Sequence, residues 1–542
     1  MIATDNATFN VLHEPWIPTR SLAGEVMERG ILNTLLHAHE LSAIEDASPA
    51  IQFGLYRLLI AFVMDAYALK EQEDLEELLN TRAFDQQILE QYLTKCGNCF
   101  DLFDAERPFL QVAGDPAEES STTSIAALFQ HIPSGSNVNH FHHGLDADQG
   151  ASPAVCARGL TAIAPFMTAG GQGKSPSING APPWYLLVRG RDLFETIVLN
   201  CCALPMPWLI DFGLPCWRAL EPVQPKLQVS MFSLLQGLTW QPRTVRLIAD
   251  ENGRCTYGGT QCEVLVRQMQ FSAGLRAVIE GGRWVDPNAA YRITEKGRFP
   301  MRPSEGRELW RDTGPLTLLQ QKDSPGDAKV RFERPLLVSQ FAKIHEDGAL
   351  PIDRPLLIEC YGLRTDNMKV FEWQQEQLQI PVDVLRHPKA GVQVQAAMDL
   401  AEKIDYVIRE SLKKAYPREG KGNDKAFDVL ITSVKRIYWD RLRPRFDGEF
   451  LALVANQASG DIDADSKLAA QWFKILEVEA WRSLDGTLDD LDGNAQSLRR
   501  QVEARDCFYN LMNRCRPGSK DTVGKSTKKA GSKAKVTAKG KS

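Results

Sequence analysis

The segment Thr168-Ala169-Gly170-Gly171-Gln172-Gly173-Lys174-Ser175 has the residue types of a loop that cradles phosphate. That motif needs a first glycine five positions before the final Gly-Lys-Ser, and Thr168 stands there instead. It also needs a following helix whose N-terminal amides hold the phosphates. Here Pro176, Asn179, Gly180, Pro182 and Pro183 follow Lys174, and prolines at such spacing break a helix. Nucleotide hydrolysis on Gly170 to Ser175, with Asp250 and Glu251 as acidic partners, is therefore only the alternative reading. What remains is either a plain surface turn or a glycine loop that brings backbone close to a ligand.

Two other clusters carry possible chemistry. His140-Phe141-His142-His143 offers imidazoles, but no carboxylate or cysteine stands at a helical or finger spacing from them. An aromatic ring flanked by polar donors fits stacking or bracing against nucleic acid. Cys96-Gly97-Asn98-Cys99 is one tight pair, whereas Cys255 and Cys262 are separated by six residues. A structural zinc site takes two tight pairs, so no metal is expected. No nucleophile–base or paired-carboxylate arrangement stands out among the nine histidines and scattered acids. The expectation is a binding protein rather than an enzyme, with no cofactor.

Charge narrows the ligand. The chain carries −6 overall. From Arg516 to Ser542 there are eight lysines and one arginine against one aspartate, a net +8, which leaves −14 on the remainder. Nucleic-acid contact by the folded part must then use local patches rather than an average field. Eleven cysteines without a disulfide-like spacing, and a polar opening Met1 to Asn10, fit a reducing cytoplasm.

These residues need elements to hold them. Residues 9 to 28 read as two short strands, with Pro15 and Pro18 permitting an edge or loop but not a central ladder. Leu32 to Leu41, Ala50 to Lys70 and Asp85 to Cys96 read as helices. Ala50 to Leu69 approaches the length of a membrane span, but Gln52, Arg57 and Asp65 inside it favour a buried core helix, and no membrane is expected. Gly97 to Pro183 is rich in Gly, Pro, Ser, Asn and His and lacks periodicity. Leu186 to Leu204 reads as helical, and Gly237 to Leu363 as strands alternating with turns. In Gln393 to Tyr416, Val394, Ala397, Met398, Ile404, Val407, Ile408 and Leu412 form a helical stripe. Helical runs follow at Phe427 to Leu442, Ser466 to Leu484 and Ala495 to Cys515, the pattern of a four-helix bundle. Beyond Arg516 the composition is too polar to offset ordering entropy, and disorder is expected.

Several ordered patterns together resemble one family. They are Asn10-Val11-Leu12-His13-Glu14-Pro15-Trp16-Ile17-Pro18, then Arg107-Pro108-Phe109-Leu110-Gln111, then the glycine loop followed by Leu187-Val188-Arg189-Gly190-Arg191-Asp192-Leu193. Gly237-Leu238-Thr239-Trp240-Gln241-Pro242-Arg243 and the helical C-terminus complete the set. Over residues 8 to 515 the chain is similar to the large subunit of the type I-E CRISPR surveillance complex, Cascade (the CasA family).

The resemblance implies an α+β chain: a mixed α/β N-terminal domain over 1–380, a four-helix bundle over 381–515 and a basic tail over 516–542, the boundary falling within 375–392. It implies a non-catalytic subunit that reads the PAM in duplex target DNA from the minor groove, helps start strand separation and recruits a helicase–nuclease. Partners implied are the backbone, guide 5′-end-binding and small subunits that carry guide RNA. Carried over by resemblance, Gly171, Gln172, Gly173 and Lys174 form the DNA-facing loop. Asn367 and Met368 stand at the tip of the strand-splitting wedge, where the family has glutamine; an apolar Met suits unstacking. The family's lysine finger is replaced by Arg276, with Arg267 second. Phe141 and His143 anchor the loop Asn139 to Val155 against a neighbouring subunit and guide. A further alternative is a helical scaffold whose basic tail binds RNA without selectivity.

Overall fold

The apolar run at Ala50 folds as the helix Pro49–Ala66, in which every residue from Ala50 to Met64 is buried. Pro49 occupies its first turn, where a missing N–H costs nothing. The helix is long and apolar enough to cross a membrane, yet 83% of that span is buried within the protein, as a predominantly apolar core helix is. The computed structural model describes residues 7–113, 122–129, 149–170, 173–203, 211–219, 221–278, 284–317, 330–366, 369–386, 388–416, 425–457, 464–491 and 493–518. The chain divides into two compact units, Met1–Gly391 and Val392–Ser542, so the first unit extends past residue 380.

The first unit mixes helices with small sheets. Around the core helix, Phe53 stacks on Tyr185 at 4.7 Å between centroids and meets Phe166 edge-on at 5.9 Å. Arg57 on the same helix donates to Asp286 Oδ2 at 2.6 Å and to the Leu238 carbonyl at 3.1 Å. Asn179 Nδ2 also donates to Asp286, at 2.9 Å, and Trp284 Nε1 donates to Asn179 Oδ1 at 3.0 Å. A buried charge is tolerated because its carboxylate partner and the supporting hydrogen bonds are in place. The motifs that carry the family resemblance are largely core as well. Trp16 is fully buried, donates to the Val11 carbonyl at 2.8 Å and meets Phe109 edge-on at 6.3 Å.

Several expectations need correcting. Phe9 to Leu12 is a turn with a bridge at Asn10; the strands are Ile17–Ser21 and Val26–Arg29. Ile17–Ser21 is the middle strand of three, despite Pro18. Its pairing with Leu41–Ile44 begins only at Thr19, so on that side Pro18 needs no N–H and only accepts, from Glu45 N at 2.8 Å. The helix expected over Leu32 to Leu41 stops at Leu36, and Leu41 opens a strand. Leu186 to Leu204 is not one helix. Tyr185–Val188 is a buried strand and Leu193–Asn200 a helix, joined where Asn200 brackets Val188 through its N–H and carbonyl at 3.0 and 2.7 Å. Short apolar runs do not distinguish the two by periodicity. The stretch read as irregular contains the helix Pro153–Thr161, whose Ser152 accepts from Val155 N at 3.3 Å.

Two sheets position the region of interest. Arg243–Asp250 pairs antiparallel with Leu265–Ala273, beginning at Arg243 opposite Ala273. Leu356–Asp366 and Lys369–Ile380 form a long hairpin that adds Tyr185–Val188 as its third strand.

The described part of the second unit is helical. The four expected runs correspond to the helices Pro388–Ala415, which ends one residue before the expected Tyr416, Lys425–Arg445, Ala464–Asp489 and Ala495–Cys515. The second continues through a π turn, Phe446–Phe450, into Leu451–Gln457. Pro444 explains the break: it lacks the N–H for the ladder and its ring crowds the preceding turn. Phe446 and Phe450 close on Trp472 at 6.1 and 4.8 Å, and Trp472 donates to the Ala397 carbonyl at 3.0 Å. The stripe from Val394 to Leu412 is buried.

Candidate nucleic-acid interface

The glycine loop is held from behind by one side chain. Arg243, the last residue of the Trp240-Gln241-Pro242-Arg243 motif, donates to the Thr168 carbonyl at 2.7 Å and to the Ser175 carbonyl. Within the loop, Gly170 N donates to the Lys174 carbonyl at 3.1 Å. Lys174 turns back: its Nζ donates to the Phe271 carbonyl at 3.1 Å and lies 5.5 Å from the Phe271 ring centroid. Burial and the neighbouring Arg243 hold its amine below the usual lysine range. Ser177 to Gly180 is a turn, not a helix. The arrangement therefore has neither the helix N-terminus nor the outward lysine that phosphate cradling needs. Gly171 and Gln172 lie outside the described residues.

Gly173 has φ +77°, in the left-handed region that favours glycine, and a Cβ there would stand 3.1 Å from Lys226 Cε. Lys226 is the first residue sequence reasoning missed. It has φ +64° and is fixed by its N–H to the Gly274 carbonyl at 2.8 Å. Beside it, Gln228–Val229 pairs in parallel with Arg276–Ala277, and Arg276 N donates to the Leu227 carbonyl at 2.8 Å. Together these segments line a groove of about 640 Å³, whose lining includes Gly173, Lys174, Asn179, Lys226, Gln228 and Arg276. Lys226 and Arg276 are exposed, and no acidic residue is among the described lining residues. A local cationic groove on an acidic protein is the kind of patch that the charge balance required. The second-choice Arg267 is not in the groove; it pairs with Asp250 at 2.7 Å.

Arg243 is the second missed residue. Its guanidinium has no carboxylate partner among the described residues, and burial pushes it down to about 10. The motif that contains it was visible in the sequence, but its role was not, because Arg243 reaches residues 68 and 75 positions away. Lys226 carried no local signal at all.

Asp366 pairs with Lys369 at the end of the long hairpin. Asn367 and Met368 fall between them and lie outside the described residues. Near that end, Arg364 lies 4.9 Å from the ring centroid of Phe371, which is 52% exposed. Phe141, His143 and the whole His140–His143 cluster also lie outside the described residues. Among the described residues no group of three His, Cys, Asp or Glu could hold a metal. Cys255 instead accepts from Ser152 N at 3.3 Å and Gly258 N at 3.4 Å.

A family model described as CRISPR-associated protein Cse1 matches residues 10–483. The CRISPR-associated protein CasA/Cse1 of Thermus thermophilus is 28% identical over 530 residues, spanning 93% of this chain and 97% of that protein. The solved structure of Thermus thermophilus CasA (Cse1) superposes with a TM-score of 0.71 at 25% identity, covering 93% of this chain and 100% of that one. A chain of a CRISPR RNA-guided surveillance complex shares the fold at 18% identity, with a TM-score of 0.66 over 93% of this chain and 99% of that one. The family match reaches into both compact units and covers most of the sequence, and the protein belongs to the Cse1 family of CRISPR-associated proteins.

Proposed function

We propose that this chain is the non-catalytic large subunit of a Cascade-type, RNA-guided surveillance complex. It reads the PAM of duplex target DNA from the minor groove, helps open the first base pairs and recruits the helicase–nuclease. Its partners are the guide-carrying backbone, 5′-end-binding and small subunits, in the cytoplasm. Family membership and the fold shared with a chain of a CRISPR RNA-guided surveillance complex support the setting.

One observation carries the DNA reading: the Gly173 turn packs beside Lys226 in a groove that Arg276 also lines and whose described lining residues include no carboxylate. A glycine turn lets backbone approach base edges, and the minor groove offers only a degenerate code to read. Lys226 and Arg276 provide the phosphate contacts, while Lys174 braces the loop. Asn367 and Met368 are assigned to the wedge beyond Asp366, and Phe141 and His143 to the neighbouring subunit and guide. The second unit is read as a four-helix bundle, with Lys425 to Gln457 as one arm interrupted at Pro444, serving subunit contact.

The test is to reconstitute the complex with Lys226→Ala and Arg276→Ala together. Binding to a PAM-bearing duplex is then measured across a salt series. Each lost phosphate contact lowers the slope of log affinity against log salt by about 0.9, so a drop of about 1.8 is expected. An unchanged slope with intact assembly refutes the groove assignment. Asn367→Ala with Met368→Ala tests the wedge separately: unchanged opening of PAM-bearing duplex removes that assignment.

A further inference from the structure

We propose that Arg243 is the positioning residue of the glycine loop, acting on DNA recognition without touching DNA. This deepens the groove reading above and rests on it. Arg243 is 2% exposed, and all its hydrogen bonds among the described residues go to carbonyls: Thr168 and Pro242 at 2.7 and 2.8 Å, and Ser175. One planar guanidinium thus joins the two ends of the loop, a geometry that a fork of donors satisfies and a single ammonium does not. The ring of Phe271 lies beneath both the loop's Lys174 and the clamping Arg243, at 5.5 and 5.9 Å. Gly170 leaves room for the clamp, since a Cβ there would stand 3.0 Å from Arg243 Nη2.

A buried arginine ordinarily pairs with a carboxylate. Among the described residues Arg243 has no such partner, so no described carboxylate cancels its charge directly behind the loop. That fits a site whose ligand is itself anionic. The clamp fixes the distance between Thr168 and Ser175, and so fixes where Gly173 faces Lys226. Without it the loop samples other shapes, and only a fraction of molecules presents the turn, which lowers the apparent affinity by that fraction.

The experiment uses the full chain, free and assembled with guide RNA and its partner subunits, as wild type, Arg243→Gln, Arg243→Lys and Lys226→Ala. Hydrogen exchange of the free chain over residues 168–176 is measured first. Exchange there is expected to rise in Arg243→Gln, to rise less in Arg243→Lys, and to stay unchanged in Lys226→Ala. The assembled complexes are then titrated with duplexes that carry the guide's complement beside every possible flanking triplet. Losing hydrogen bonds made by a charged group weakens an equilibrium by roughly tenfold or more, so Arg243→Gln is expected to bind about tenfold more weakly. Its salt slope should match wild type and its preference among triplets should flatten. Arg243→Lys should restore part of that preference. Unchanged exchange in Arg243→Gln overturns the proposal. So does altered exchange with unchanged duplex binding, provided Lys226→Ala still weakens binding. If neither variant weakens binding, the groove reading itself fails and the proposal falls with it. Should Arg243→Gln not fold, Gly170→Ala displaces the guanidinium by sterics alone. It is expected to show the same loss at constant salt slope, and wild-type binding by that variant also overturns the proposal.

Discussion

Arg57 and Arg243 are both buried, but their surroundings differ. Arg57 faces Asp286 at 2.6 Å in a network that includes Asn179, Trp284 and Tyr185. Arg243 bonds only carbonyls among the described residues and sits behind a groove lined by exposed Lys226 and Arg276. The first charge is neutralised in place and serves stability. The second is left positive where an anion is expected to arrive. Asn179 links the two regions, since it donates to Asp286 and also lines the groove. Burial alone therefore does not say what an ion does; its partner set does.

That contrast can be broken at several points. Asp286→Ala should have the largest effect, because it strands Arg57 in the core, and a loss of about 3–5 kcal/mol is expected in denaturant unfolding. Pairing it with Arg57→Met should cost less than Asp286→Ala alone; a double variant that is worse than the single one would show that the ion pair is not what the core requires. Arg243→Gln strands no charge but loses hydrogen bonds made by a charged group, so its unfolding free energy should fall by about 1.5–3 kcal/mol, while its loop exchange rises. Gly173→Ala forces an unfavourable left-handed backbone and crowds Lys226, costing about 1 kcal/mol in the same unfolding assay. The double alanine variant of Lys226 and Arg276 should stay within about 0.5 kcal/mol of wild type and register only in the salt slope. Deleting residues 517–542 should give a modest, salt-sensitive loss of duplex binding, as expected of a tail that adds non-specific attraction.

Much of this protein was legible locally. The apolar run of the core helix, the stripe from Val394 to Leu412 and the capped start at Asp85 all follow from side-chain periodicity and turn chemistry over one or two turns. The prolines after Lys174 were enough to argue against a phosphate loop. The misreadings were also local in origin. Tyr185–Val188 and the central strand with Pro18 depend on which neighbours cover them, and no window of the sequence contains those neighbours.

The candidate site shows the division most clearly. Sequence alone determined that a glycine turn with one lysine lies at 170–175 and that an arginine ends the Trp-Gln-Pro motif. Only the tertiary structure turned Lys174 back onto Phe271, set Arg243 behind the loop and brought Lys226 and Arg276 to its open side. The physical reason is that conformational preference is written over a few neighbouring residues. The sign and placement of a local field are instead set by side chains that meet only after distant strands have paired.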